Sequence, residues 1–139
     1  MRDEARDAVM GMLNTALTGM SDDVTILWDA DEAPIPGAED SWVRLSMRHQ
    51  ASPQSSLGRD AAAKRRYRTS GMVYVQLFTP LGDGQTKSDA ISKVIVDAMR
   101  AGRDTSSVLL RNAVAKEIGV DGSWFQVNVQ SEFEYDEFV

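Results

Sequence analysis

Residues 71–88 carry the pattern around which the rest of the chain is arranged. Met72–Thr79 is rich in Val, Tyr and Phe, residue types that favour β-strands. Pro80 cannot donate a backbone hydrogen bond to a neighbouring strand, so we expect the strand to end there, in a turn supplied by Gly82 and Gly84. Both faces are apolar: Val73, Val75 and Leu77 lie on one, and Met72, Tyr74 and Phe78 on the other. The pattern predicts a central strand covered on both faces.

Alternation of apolar and polar positions predicts the other strands. These are Val24–Asp29, Trp42–His49, the lead-in Tyr67–Ser70 to the central strand, and Trp124–Tyr135. The last is the clearest, because its odd positions are mostly apolar and its even positions from Gln126 are all polar. We interpret its polar face as a solvent-exposed, acidic edge of the sheet.

Two segments show helical spacing instead. Residues 2–20 place Val9, Leu13, Ala16, Leu17 and Met20 on one face, which predicts a helix over about 3–19. Residues 86–101 begin at Thr86, a candidate cap, and carry a stripe of Ile91, Val94, Ile95 and Ala98. We expect both helices to pack on one face of the sheet. The chain is thus predicted to be one α+β domain, residues 1–139, with a mainly antiparallel twisted sheet of four to five strands.

Two regions break the regular pattern. Residues 103–122 are ambiguous: Val108–Arg111 reads as a strand, Ala113–Ile118 as a second strand or a helical turn, and Val120–Ser123 as a turn. Gln50–Ala63 is a polar segment containing Pro and Ser, which we expect to be mobile in the isolated protein and to order on assembly.

Composition adds limits rather than a function. The 139 residues include no cysteine, so thiol and disulfide chemistry are excluded, and the formal net charge of −6 disfavours a dedicated nucleic-acid binder. We find no apolar run of the ~20 residues that a membrane span needs and no signal-peptide pattern at the N-terminus. We therefore expect no association with a membrane.

Candidate chemistry is sparse. His49 is the only histidine, at the end of an apolar face and beside no nucleophile motif. The acids of Asp29–Asp40 lack calcium-loop spacing, and the turn before Lys87 fits neither a P-loop nor a dinucleotide-binding pattern. We expect no catalytic residue, cofactor or metal, and hence no enzyme.

Charged segments are the candidate interaction residues. The basic ones are Arg59, Lys64, Arg65, Arg66 and Arg68. The acidic ones are Asp31, Glu32, Glu39 and Asp40 in a loop, and Glu132, Glu134 and Asp136 on the last strand. Two readings stay open for the basic segment: contact with phosphate or an acidic partner, or an ordinary solvated strand end. The three acids of the last strand share one exposed face with no sign of a cleft. They therefore do not suggest paired catalytic carboxylates.

The order of these segments resembles phage tail terminator proteins. The similar stretches are Val-Thr-Ile-Leu-Trp, the acidic loop, Trp-Val-Arg, Gln-Ser-Ser-Leu-Gly, Arg-Arg-Tyr-Arg-Thr-Ser-Gly-Met-Val, Val-Gln-Leu-Phe-Thr-Pro-Leu-Gly-Asp-Gly, Ser-Trp-Phe-Gln-Val-Asn-Val and Phe-Glu-Tyr-Asp. The resemblance covers most of the chain, and residues 103–122 match poorly.

The resemblance implies a ring, usually a hexamer, that caps the completed tail tube, stops its polymerisation and presents a surface for joining the head. Its partners would be further copies of itself, the tail tube protein and head–tail connector or neck proteins, with DNA only passing through the ring lumen. The chain would reside in the virion tail and assemble in the host cytoplasm. Two alternatives remain: a different connector or neck component, and a small-ligand or enzyme domain of ferredoxin-like build, which would need a pocket with convergent polar groups.

Overall fold

The computed structural model places two helices against a five-stranded mixed sheet. It describes residues 2–20, 24–28, 41–51, 66–101 and 108–138. In chain order the elements are α1 (Arg2–Thr18), β1 (Val24–Trp28), β2 (Ser41–Ala51), β3 (Arg66–Pro80), a 3-10 turn (Leu81–Asp83), α2 (Gly84–Ala101), β4 (Leu109–Asp121) and β5 (Trp124–Phe138). The predicted α+β class is confirmed.

The strand order across the sheet is β1-β2-β3-β5-β4. Only β1 and β2 are parallel, and the other three pairs are antiparallel. β3 pairs with β5 in unbroken register from Arg66 opposite Phe138 to Pro80 opposite Trp124. The predicted central position of Met72–Thr79 is confirmed, and so is the end of its strand at Pro80.

The core lies between the helices and one face of the sheet. Alternate residues of the three middle strands point into it: Val43 and Leu45, Val73, Val75 and Leu77, and Val127 and Val129 are buried. α1 contributes Ala5, Val9, Leu13 and Leu17, while α2 contributes Ile91, Ile95 and Met99. Burying one such large side chain stabilises the fold by about 1.5–3 kcal/mol, so this one-sided core supplies most of the driving force for folding.

Among the described residues, helices cover only one face of β3, whereas the sequence pattern led us to expect cover on both. Its second face carries Met72 and Tyr74, which are only half-buried. Both helices contribute to the core on the other face, where they also contact one another. Phe78 is buried because its ring stacks on that of Trp42, not because a helix covers it.

The second helix starts earlier than its sequence pattern indicates. It begins at Gly84, directly after the 3-10 turn, so Thr86 lies inside the first turn and is not its N-cap. Its buried line runs through Ile91, Ile95 and Met99 at a spacing of four residues, and Val94 and Ala98 flank this line half-buried. The predicted stripe of α1 is confirmed at Val9, Leu13 and Leu17.

Residues 109–121 form one strand, not two pieces or a helical turn. The register between β4 and β5 shifts twice, between Arg111 and Val114 and between Glu117 and Gly119. Asn112 (φ 56°) and Gly119 (φ 112°) adopt positive φ at these shifts. An extra residue at a bulge moves the following side chains to the opposite face, which removes period two from the sequence. The predicted turn is confirmed as a two-residue hairpin at Gly122 and Ser123.

The strand β2 continues to Ala51, so the first two residues of the Gln50–Ala63 segment belong to the sheet. Its remaining residues lie outside the described part of the chain, and their predicted mobility stays a prediction.

We expect Gly71→Ala to destabilise the protein by about 1–3 kcal/mol, the usual cost of overpacking. A Cβ at Gly71 would overlap the carbonyl oxygen of Arg48 and approach a ring carbon of Phe133 to 2.9 Å. Because the first obstacle is backbone, no side-chain rotation relieves it. Urea unfolding measures the effect.

The matched control is Gly11→Ala. Gly11 is an exposed position inside α1, and a Cβ there would meet no atom within 4 Å. This substitution is expected to raise the free energy of unfolding by about 0.5–1 kcal/mol, since Ala is the better helix former. Equal stability of the two variants would contradict the close approach at Gly71.

Candidate interaction surfaces

Most of the charged interaction candidates lie outside the described residues. These are Arg59, Lys64, Arg65, Asp31, Glu32, Glu39 and Asp40. Arg66 opens β3, and only its backbone is described. The structure therefore reports the surroundings of four candidates: Arg68, Glu132, Glu134 and Asp136.

Arg68 forms an ion pair within its own chain. It lies opposite Asp136 in the β3–β5 register, and its Nε donates to Oδ1 of Asp136 at 3.1 Å. This hydrogen bond and the charge of Asp136 raise the pKa of Arg68, and the charge of Glu134 adds to the effect. The guanidinium is exposed, so the pair is screened by solvent. A neighbouring subunit would compete with Asp136 for this arginine.

The other two acidic candidates on β5 also have donors on the adjacent strand. Arg111 Nη2 donates to Glu134 Oε1, and Asn112 Nδ2 donates to Glu132 Oε2. The strand that carries these acids lies between β3 and β4, so its interpretation as a sheet edge is wrong. Its polar side chains bind donors on both neighbouring strands. Their role at an interface between subunits stays a prediction.

The sheet surface away from the helices, here the open face, is polar and aromatic. Its middle consists of half-buried residues: Arg44, Ser46, Met72, Tyr74, Gln76, Asn128 and Gln130. Gln126 Nε2 donates to Asn128 Oδ1 at 2.8 Å, which fixes one amide on this face. Within the described part of the chain, the open face thus carries no helix and mixes polar, charged and aromatic side chains.

An aromatic corner closes one end of the open face. Trp42 stacks on Phe78 with ring centroids 4.2 Å apart, and Trp124 meets Trp42 edge-on at 5.8 Å. The guanidinium of Arg44 lies 5.2 Å from the centroid of the Trp42 ring, within cation–π distance. Neither indole N–H has a hydrogen-bond acceptor among the described residues, although both nitrogens are buried. Ring packing holds this corner together.

His49 packs among aromatic rings, as its position at the end of an apolar face suggested. Its Nε2 lies 3.0 Å from the hydroxyl of Tyr135, and its ring meets those of Phe133 and Tyr135 edge-on. These contacts give the only histidine of the chain a structural role.

The strand β4 carries three of the four large apolar side chains that are exposed among the described residues. Val114, Ile118 and Val120 are 42%, 55% and 71% exposed. Leu81, in the 3-10 turn, is the remaining large apolar side chain that is exposed in this part of the chain. The sequence did not predict this surface, because the two bulges interrupt the alternation that would have identified β4 as one strand. By the register with β5, Val114 lies on the open face and Val120 on the helix side, so these exposed side chains flank the outer edge of β4.

A groove of about 340 Å³ lies along α2 beside β4 and opens to solvent. Lys93, Asp97 and Arg100 line it together with Ala115. Lys93 and Asp97 form an ion pair with each other at 2.6 Å. No group of three or more metal-ligating side chains occurs within the described ranges, and neither described helix is long and apolar enough to cross a membrane.

Comparison with known proteins adds a fold likeness. No family model matches the chain, and no curated protein matches it either. Twenty-four chains of solved structures match. One of them, whose name states no function, superposes with a TM-score of 0.66 over 97% of this chain and 95% of its own. At 17% sequence identity this likeness shows the fold alone.

We expect Asn112→Ala to destabilise the protein by about 1–2 kcal/mol, because a left-handed backbone costs this much for a residue with a Cβ and no local hydrogen bond. Asn112→Gly loses the same bond to Glu132 but keeps the conformation accessible. It should therefore lie closer to the wild type in urea unfolding. If glycine were no better than alanine, the left-handed backbone at Asn112 would not govern the stability of this site.

Proposed function

We propose that this chain is the subunit of a ring that caps the end of a phage tail tube, stops its polymerisation and presents the surface to which the head joins. The proposal is supported by the resemblance of the chain's segments to tail terminator proteins. The described fold is compatible with it, since neither helix covers the open face or the outer edge of β4 within the residues that the structure describes.

The observation that carries the proposal is the exposed apolar surface on β4. Val114, Ile118 and Val120 are exposed on the outer strand of the sheet, where a neighbouring subunit that paired with this edge would remove part of their surface from water. A protein that works by binding copies of itself and a tube needs such a surface. The function is then capping by complementary surfaces, and it involves no covalent step.

The charges of the subunit would set which surfaces meet. Head-to-tail contact in a ring places two different patches of the same chain against each other. Arg65 and Arg66 remain candidates for one of the two patches that would meet in this contact. Arg68 already has an intrachain partner in Asp136, so its contribution to such a contact is smaller than the sequence suggests.

The direct test is capping itself. When the purified protein is added to tail tube protein during polymerisation, we expect tubes to stop growing and to show a ring at one end in electron micrographs. A second arm offers the protein to isolated head–tail connectors without tubes. Binding to connectors with no effect on tube growth would instead make it a neck component.

The charge contribution is tested with Arg65→Glu/Arg66→Glu. Acidic residues at these positions would repel an acidic neighbour, so we expect less ring in sedimentation velocity and weaker capping, with an unchanged unfolding curve. Loss of salt-sensitive DNA binding with an intact ring would assign the segment to DNA.

The matched control for folding is a charge exchange. Arg68→Glu alone places like charges opposite each other on β3 and β5, whereas Arg68→Glu/Asp136→Arg restores an opposite pair. We expect the double variant to regain the stability that the single variant loses. If all these variants assemble and cap like the wild type, the basic segment is an ordinary solvated strand end.

A further inference from the structure

The outer strand β4 offers a short stretch of regular backbone to a partner. Among the described residues it pairs only with β5, so the N–H and C=O groups on its outer side point away from the sheet. Such an edge is a template for another strand. Its two register shifts interrupt the template on either side of Val114–Glu117. Four regular residues remain, here the β4 window.

The opposite edge of the sheet matches this window. β1 is five residues long, Val24–Trp28, carries no charged side chain, and pairs only with β2 within the described part of the chain. It is parallel to β2, while each of the other neighbouring pairs is antiparallel. β1 and β4 therefore run in opposite directions. Two copies placed side by side with their helices on the same side would bring these edges together as antiparallel strands.

We propose that the β4 window of one subunit pairs with β1 of the next, so that the sheet continues from copy to copy. This inference rests on the proposed ring, for which it names the contact. A head-to-tail contact between two different edges closes a ring when the rotation between copies allows it.

The direction of the side chains selects one register. Opposed residues in an antiparallel pair share a face of the sheet. In β4, Val114 and Lys116 lie on the open face, and in β1, Thr25 and Leu27 do. One antiparallel register keeps the faces matched and finds a β1 partner for all four window residues. It pairs Val114 with Leu27, Ala115 with Ile26, Lys116 with Thr25, and Glu117 with Val24.

The same rule disfavours a pair of two β4 windows. The antiparallel register that opposes the whole window to itself sets Val114 against Glu117, and these residues lie on opposite faces. Shifting one window by one residue against the other places opposed side chains on the same face again, but it leaves part of each window without a partner. In one of the two slid registers Lys116 then faces Lys116 of the other copy, where like charges repel. The window fits β1 better than it fits itself.

Cysteine cross-linking tests the pairing directly, because the chain has no cysteine of its own. Thr25→Cys and Lys116→Cys change exposed side chains on the two edges. Directly opposed residues of antiparallel strands have Cα atoms about 4.5–5.5 Å apart, within disulfide range. When the two variants are mixed under ring-forming conditions and oxidised, we expect the mixed disulfide dimer to dominate on a non-reducing gel.

Glu117→Cys mixed with Thr25→Cys is the matched control, since these residues would project from opposite faces. An equal yield from this pair, or a dimer of Lys116→Cys with itself, would overturn the proposed pairing. A protein that sediments as a ring and yields no mixed disulfide would overturn it too, with the ring intact. A protein that stays monomeric with and without tail tubes would overturn both the pairing and the proposed function.

Discussion

The unbroken pairing of β3 with β5 is the constraint on which the rest of the fold depends. It joins the strands that precede β3 to the hairpin that follows α2, and it aligns both sets of buried side chains toward the same helices. A slip of one residue between the two strands would turn Val73, Val75 and Leu77 to the open face while the buried residues of β5 still faced the helices. The core therefore fixes the register, and the register fixes which charges meet on the other face. The Arg68–Asp136 ion pair is a consequence of that alignment.

One face of the sheet is covered by helices and the other is open. This division explains why the described residues offer few reactive side chains and a large surface for contacts. Most of the large buried apolar side chains pack against the two helices, and Trp42 and Phe78 pack on each other on the open face, which leaves Met72, Tyr74 and the edge residues of β4 in contact with water. The open face combines aromatic rings, amides and ion pairs formed within the chain. Such a surface binds through shape and through a few directional contacts, in agreement with the assembly role that we propose.

The sequence predicts those parts of the fold in which the alternation or helical spacing of apolar residues is uninterrupted. Val73–Leu77, Val127–Val129 and the stripe of α1 are where alternation or helical spacing placed them, because nothing interrupts the backbone there. The prediction from sequence fails at β4, because Asn112 and Gly119 adopt positive φ and interrupt the alternation of side chains between the two faces. It also overstated the cover of β3, because an apolar side chain such as Met72 is compatible with a half-exposed surface as well as a core. The ion pairs of β5 depend on which strands are neighbours, and single-strand patterns do not contain that information.

The strand order also determines when the sheet can be completed. β4 and β5 are joined by a two-residue turn and become neighbours as soon as both have been made. β3 is synthesised well before either, yet its second neighbour is the last strand of the described chain, beyond α2 and β4. Contacts between distant segments form more slowly than local ones. A chain that ended before β5 would keep β1, β2 and β3 together and would have no strand to connect β4 to them.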